Sequence, residues 1–283
     1  MTAAAEASSA PDTSDAVRVL GVDLAWSEGG PGKPANETGV VAVDPDGEIV
    51  DAGWARGLDE VAAWMTAWST PDTVAMVDAP LVVRNATGMR PSEREIGRRY
   101  GRWKVSANAT NLALPALAGV TLAARLVTHG WHCADARHGP PEHGRWVYET
   151  FPYTTLVGAE ELGYDRERPV YKRKPRHLTP TEFRVRRAAT CDELIRRIAG
   201  LRAADPPIDI HSHPVTATLA DEPTPLLDRA VKHREDLLDA VLCAWTGLLW
   251  VRHGLERCQV LGPDDDGDPP AMILAAARPQ QRR

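Results

Sequence analysis

The 283-residue sequence predicts an α/β fold: a central mixed five-stranded sheet flanked by helices, with helical basic insertions. Three observations predict it. Apolar stretches of strand length at 17–26, 73–81 and 145–152 alternate with segments of helical period. TGVVAVD and EIVDAGWAR, joined through PDG, read as antiparallel strands linked by a tight turn. No internal repeat and no convincing domain break interrupts this order.

Each element has its own signal. VRVLGVDLAW, 17–26, alternates and then runs apolar, like a buried strand ending at Asp23. The turn EGGPGKPAN leads to the two strands just named, completing a meander. LDEVAAWMTAWS, 58–69, has helical spacing, with Val61, Trp64, Met65 and Trp68 as its apolar face. TVAMVDAPL is an apolar strand that stops at Asp78 and Pro80. An insertion at about 84–111 holds a short basic helix, SEREIGRRYGRW. LPALAGVTLAARLVTHG is a helix ended by Gly130. RWVYETFP is a strand carrying Glu149 and closed by Pro152. A second insertion, about 160–223, carries a basic amphipathic helix from about 180 to 203 and a Pro-rich linker over 205–223. TPLLDRAV reads as a short helix before the last one, HREDLLDAVLCAWTGLLW, 233–250. The domain spans 17–262. Residues 1–16 read as a disordered leader and 263–283 as a C-terminal tail in which only AMILAAA has the apolarity to dock.

Composition narrows the class. With 43% hydrophobic and 25% charged residues the chain fits a soluble globular protein with a sizeable core. The four cysteines show no CxxC spacing, which favours reduced thiols and a cytoplasmic protein. The N-terminus has neither a basic n-region nor an apolar h-region, so it is no secretory signal. The longest uncharged run, Val105 to Ala124, includes Asn108, Asn111 and Pro115 and is too polar to span a membrane. The net charge of −6 conceals a division: residues 84–104 hold 7 bases against 2 acids, and 166–202 hold 12 against 4. Two basic segments in an acidic protein match a surface that tracks phosphates; solvated Arg-rich helix faces are the plain alternative.

The last helix raises a chemical question. Asp236 and Asp239 lie about 60° apart on one face of an otherwise apolar helix. That face continues with Ala240, Cys243, Thr246 and Gly247, small residues that suit close approach by a sheet or a ligand. The plain reading is a first turn whose acids favour the helix dipole. Asp23, Asp78 and Glu149 are likewise acids in or at the end of apolar elements, where a lone charge is costly. If the five meet, each pair repels by on the order of 4 kcal/mol at ~4 Å. Such a cluster holds a proton or a divalent cation, and Mg²⁺ or Mn²⁺ suits hard oxygen ligands and phosphate chemistry.

The motifs GVDLA (21–25), VDAPL (77–81), RPSERE (90–95), YETFP (148–152), YKRK (171–174) and DLLDAVLCAWTG (236–247) follow one another along nearly the whole chain. With the β-β-β-α-β-α-β-α order, they resemble the RNase H-like superfamily and, within it, the DUF429 family of predicted nucleases. The resemblance implies a metal-dependent nuclease acting on a nucleic acid or nucleotide. Under it Asp23 and Asp78 ligate or bridge the metals and Asp239 completes the site. Asp236 is a further ligand through its DxxD spacing, and Glu149 is a fourth ligand or a base. Arg84, Arg90, Arg94 and Lys172 would contact phosphates or pair with the acids; for Arg90 and Arg94 the plain alternative is a helical salt bridge to Glu93 or Glu95. Two other readings stay open. One is a non-catalytic scaffold that kept the fold. The other is an actin-like or sugar-kinase ATPase, which would need a Gly/Thr-rich phosphate hairpin after Asp23, where the chain has Leu24, Ala25 and Trp26.

Overall fold

A computed structural model describes residues 17–26, 29, 32, 34–172, 175–264 and 267–282. The expected leader over 1–16 lies outside the described residues. Three strands form the meander read from the sequence: β1 (Arg18–Asp23), β2 (Glu37–Val43) and β3 (Ile49–Arg56). Each is antiparallel to the next. Helix α1 (Gly57–Trp68) crosses over to β4 (Thr73–Val77), which lies parallel to β1. Next come α2 (Pro91–Tyr100) and α3 (Ala118–Thr128), then β5 (Trp131–Cys133) and β6 (Arg145–Glu149). The remaining elements are α4 (Pro152–Gly158), α5 (Pro180–Gly200), α6 (Pro214–Asp221), α7 (Asp228–His253), β7 (Cys258–Leu261) and β8 (Ile273–Ala276).

The central sheet has six strands in the order β3-β2-β1-β4-β6-β5, not the expected five. The extra one, β5, is three residues at the edge, parallel to β6, too short for a period-2 pattern to mark it. The second departure lies at the C-terminus. Residues 263–283, expected as a tail, supply β8, antiparallel to β7 in a separate two-stranded sheet. Ala271 to Ala277 are buried there, and the Tyr100 hydroxyl donates to the Ala276 carbonyl at 2.7 Å. The expected linker over 205–223 is also structured, with Ile208 and Ile210 buried ahead of α6. TPLLDRAV forms no helix of its own, since α7 already begins at Asp228.

Alternation along the strands divides the core in two, as side chains in a strand point to opposite faces. Val19, Val41, Val74, Met76 and Tyr148 face α7, α4 and α5. Leu20, Val22, Ala42, Ala75, Val77 and Val147 face α1 and α3. Helix α7 is the centre of the first layer, buried without a break from Arg234 to Trp250. It lies flat against the sheet because both surfaces are small where they meet. A Cβ on Gly21 would stand 2.1 Å from the Ala240 carbonyl oxygen, and one on Gly39 2.1 Å from that of Asp236. The small face of α7 is therefore the sheet-facing face, and its acids are carried against the ends of β1 and β2.

Candidate metal centre

The parallel pairing of β1 and β4 brings two acids together. Val22 is in register with Val77, so both strands finish at one edge. The Asp78 amide donates to the Val22 carbonyl at 2.8 Å, extending the ladder by one residue. Asp23 and Asp78 then point to the same face, the one covered by α7. Asp239, fully buried, reaches them from above. One carboxylate oxygen from each of Asp23, Asp78 and Asp239 lies within 4.8 Å of the other two, and these three can hold a metal ion. Hard, charged oxygens from three elements suit Mg²⁺ or Mn²⁺ better than a softer ion.

The electrostatics show a cluster whose acids are only partly balanced. Burial, and then the charge of Asp23, push the Asp78 carboxyl up to about 8. The same two causes push Asp236 up to about 7, and Asp236 shares a hydrogen bond with Asp23. Both shifts favour the protonated carboxyl, where a divalent cation would otherwise supply positive charge. Two lysines supply part of it: Lys232 pairs with Asp236 one turn along α7, and Lys172 pairs with Asp239. The Tyr171 hydroxyl donates to the other Asp239 oxygen at 2.8 Å.

Glu149 does not join the three. It is in register with Val77, one residue short of Asp78, and so it points to the opposite face of the sheet. There it accepts from the Leu81 amide at 3.0 Å and from Arg90 at 2.8 and 2.5 Å. Burial raises its carboxyl and Arg90 opposes that rise. Arg90 also pairs with Glu93 at 2.9 Å and donates to the Val82 carbonyl at 3.1 Å. For Arg90 the expected salt bridge to Glu93 is present and it also pairs with Glu149, so its guanidinium is committed to carboxylates.

The other expected phosphate contacts separate. Arg84 donates to the Pro269 carbonyl at 2.6 Å, and Arg94 to the Met89 carbonyl at 2.6 Å instead of to a glutamate. Only Lys172 stands at the acids. Several other bases of these segments pair with acids: Lys104 with Glu167, Arg187 with Asp228, and Arg197 with Glu193.

The acids open into a cleft of about 900 Å³. Asp23, Asp78 and Asp236 line it, with Arg168, Lys172, Arg229, Lys232 and His233 among the basic groups around them. Trp26, 45% exposed, stands at its edge. Sequence reasoning missed Tyr171, Arg168, Arg229 and Lys232. The i,i+4 spacing of Lys232 and Asp236 was the available signal for one of them. Tyr171 opens the YKRK motif and Arg168 lies in the basic segment 166–202, but no role followed from either; Arg229 reaches the cleft only through the start of α7. Among the described residues no helix is long and apolar enough to cross a membrane, and all four cysteines are free.

Comparison with curated proteins and with solved structures gives no match. The model of a family described as Protein of unknown function (DUF429) matches residues 21–266, from the glycine of β1 to beyond β7 and across every acid of the cluster, and the chain belongs to that family.

Proposed function

We propose that this protein is a cytoplasmic, divalent-metal-dependent phosphodiesterase of RNase H-like architecture, acting on a nucleic acid or nucleotide. The observation that carries this reading is the convergence of Asp23, Asp78 and Asp239 within 4.8 Å at a cleft with basic residues along it. The antiparallel meander, acids at the ends of β1 and β4 and a covering helix with paired acids support this reading. When bound, Mg²⁺ or Mn²⁺ supplies Lewis-acid polarisation of a phosphoryl oxygen and activation of water. The chain's own residues do the rest. Asp23, Asp78 and Asp239 hold the ion, and Asp236, hydrogen-bonded to Asp23, orients that carboxylate. Arg168, Arg229 and Lys232 line the cleft and serve as contacts for phosphate oxygens. Glu149 lines the cleft beside the cluster: with Arg90 it fixes the loop after β4, and its charge adds to the rise at Asp78.

Titration calorimetry with Mn²⁺ on the wild type and on Asp78→Asn tests the proposal. Saturable binding that the substitution abolishes is the expected result and justifies a cleavage screen over DNA, RNA, branched junctions and small nucleotides. Absence of binding both with and without an oligonucleotide would sink it. A specific observation favours the second reading, a non-catalytic scaffold: Lys172 and Lys232 already neutralise Asp239 and Asp236 without a metal. That reading expects no Mn²⁺ binding at all.

A further inference from the structure

Helix α7 carries a third acid on the cluster's side that neither the ligand set nor the lysine pairs use. Glu235 is 5% exposed, and its Oε1 is buried without a hydrogen-bond partner among the described residues. An unpaired buried carboxylate oxygen is costly and uncommon in a native fold. Glu235 and Asp239 are i,i+4 on one helix, so their side chains are neighbours about 5–6 Å apart at Cβ. Asp239 holds the Lys172 ammonium, on a side chain still 27% exposed and therefore with room to turn. Lys172 is also the foremost positive charge acting on Glu235, ahead of Lys232 and Arg187. Tyr171, beside Lys172, feels the charge of Glu235 as well. One flexible ammonium thus has two buried carboxylates within a helical turn, one taken and one vacant.

We infer that Glu235 is the receiving position for the Lys172 ammonium, which moves there from Asp239 when a divalent cation takes Asp239. The inference rests on the metal-site reading and adds the device that makes such a site usable. With Lys172 on Asp239 the oxygen Oδ2 is occupied; with Lys172 on Glu235 it is open, and no charge is left buried alone. Lys172 is a competitor for the metal and Glu235 a positioning residue for Lys172. Because coupling is reciprocal, whatever stabilises Lys172 on Glu235 tightens the cation on Asp239 by the same factor. The rival partner for Glu235 is Arg187, which pairs with Asp228 and whose Nε is also buried without a partner.

The test is Mn²⁺ calorimetry at one pH on the full chain as wild type, Lys172→Met, Glu235→Gln and the double variant. Glu235→Gln is expected to weaken Mn²⁺ binding on the order of tenfold, and Lys172→Met to tighten it. In the Lys172→Met background Glu235→Gln is expected to change nothing, since there is no ammonium to receive. Unaltered affinity in Glu235→Gln alone, or an equal loss in both backgrounds, overturns the inference while leaving the metal site standing. Binding by Lys172→Met but not by wild type overturns the inference, because the ammonium then stays on Asp239 and Glu235 does not receive it, while the metal site stands. Failure of all four proteins to bind Mn²⁺ overturns the metal-site reading and the inference with it.

Discussion

Asp78 and Asp236 carry raised carboxyls with a consequence for stability against pH. Both carboxyls are raised in the fold, to about 8 and about 7, by burial and by the neighbouring Asp23. Between the ordinary carboxylate range and those values the folded protein holds protons that the unfolded chain has already lost. The stability linked to them is present below about pH 4 and is lost as pH rises through 7 to 8. The metal-free protein is therefore expected to melt at lower temperature at pH 8.5 than at pH 6, and Asp78→Asn to flatten that slope in calorimetric scans. Added Mn²⁺ is expected to reverse the trend, because binding expels the same protons. Arg90 tests the other role that residues play here. It is 2% exposed between Glu93 and Glu149, so Arg90→Ala strands two buried carboxylates. A loss of about 3–5 kcal/mol in urea unfolding is expected. Arg94→Ala removes an exposed donor to one carbonyl and should cost within about 0.5 kcal/mol. Equal losses for the two would contradict the assignment of Arg90 to the interior.

Helix α7 and the sheet form a single mechanical unit, and glycines permit it. The Gly39 α-carbon faces the Asp236 carbonyl so closely that a methyl group would stand 2.1 Å from backbone oxygen, which cannot yield as a side-chain tip does. Gly39→Ala is expected to push the helix outward, at a cost of about 3 kcal/mol or more by denaturant unfolding. It should also lower Mn²⁺ affinity, since the acids of α7 would move away from Asp23. Retained stability and affinity would show that the helix seats differently. Elements also explain the reach of the sequence reading. The meander, the helix before β4 and the strand carrying Glu149 were legible because their periodicity is local. Strand β5 was not, at three residues. Nor was β8, whose apolar run ILAA becomes a strand only because Cys258 to Leu261 pairs with it. The phase of Glu149 was the costliest gap. An acid at the end of a strand is visible in sequence, but which face it takes depends on register with β4, and one residue reverses the answer.

At the scale of the whole molecule, the buried ion pairs gather on Arg90, with Glu93 and Glu149, while many other pairs lie at the surface. Within the two basic segments, Lys104 and Arg187 pair with acids and Arg84 and Arg94 donate to carbonyls. The cleft keeps a smaller set, with Arg229 exposed at the start of α7. Under the proposed function, Arg229→Ala is expected to weaken oligonucleotide binding evenly across sequences and to reduce the salt slope by about 1 in a fluorescence titration. An unchanged slope would remove Arg229 from the phosphate path. By itself the sequence determined the alternation of elements and the acids at the ends of β1 and β4, along with the pair on the last helix. Those follow from local periodicity and from the cost of burying a lone carboxylate. Only the tertiary structure decided that Asp239 meets Asp23 and Asp78, that Glu149 turns to Arg90, and that Lys172 arrives from the second insertion. Those outcomes depend on strand register and on how closely α7 can approach the sheet, which are set between residues far apart in the chain.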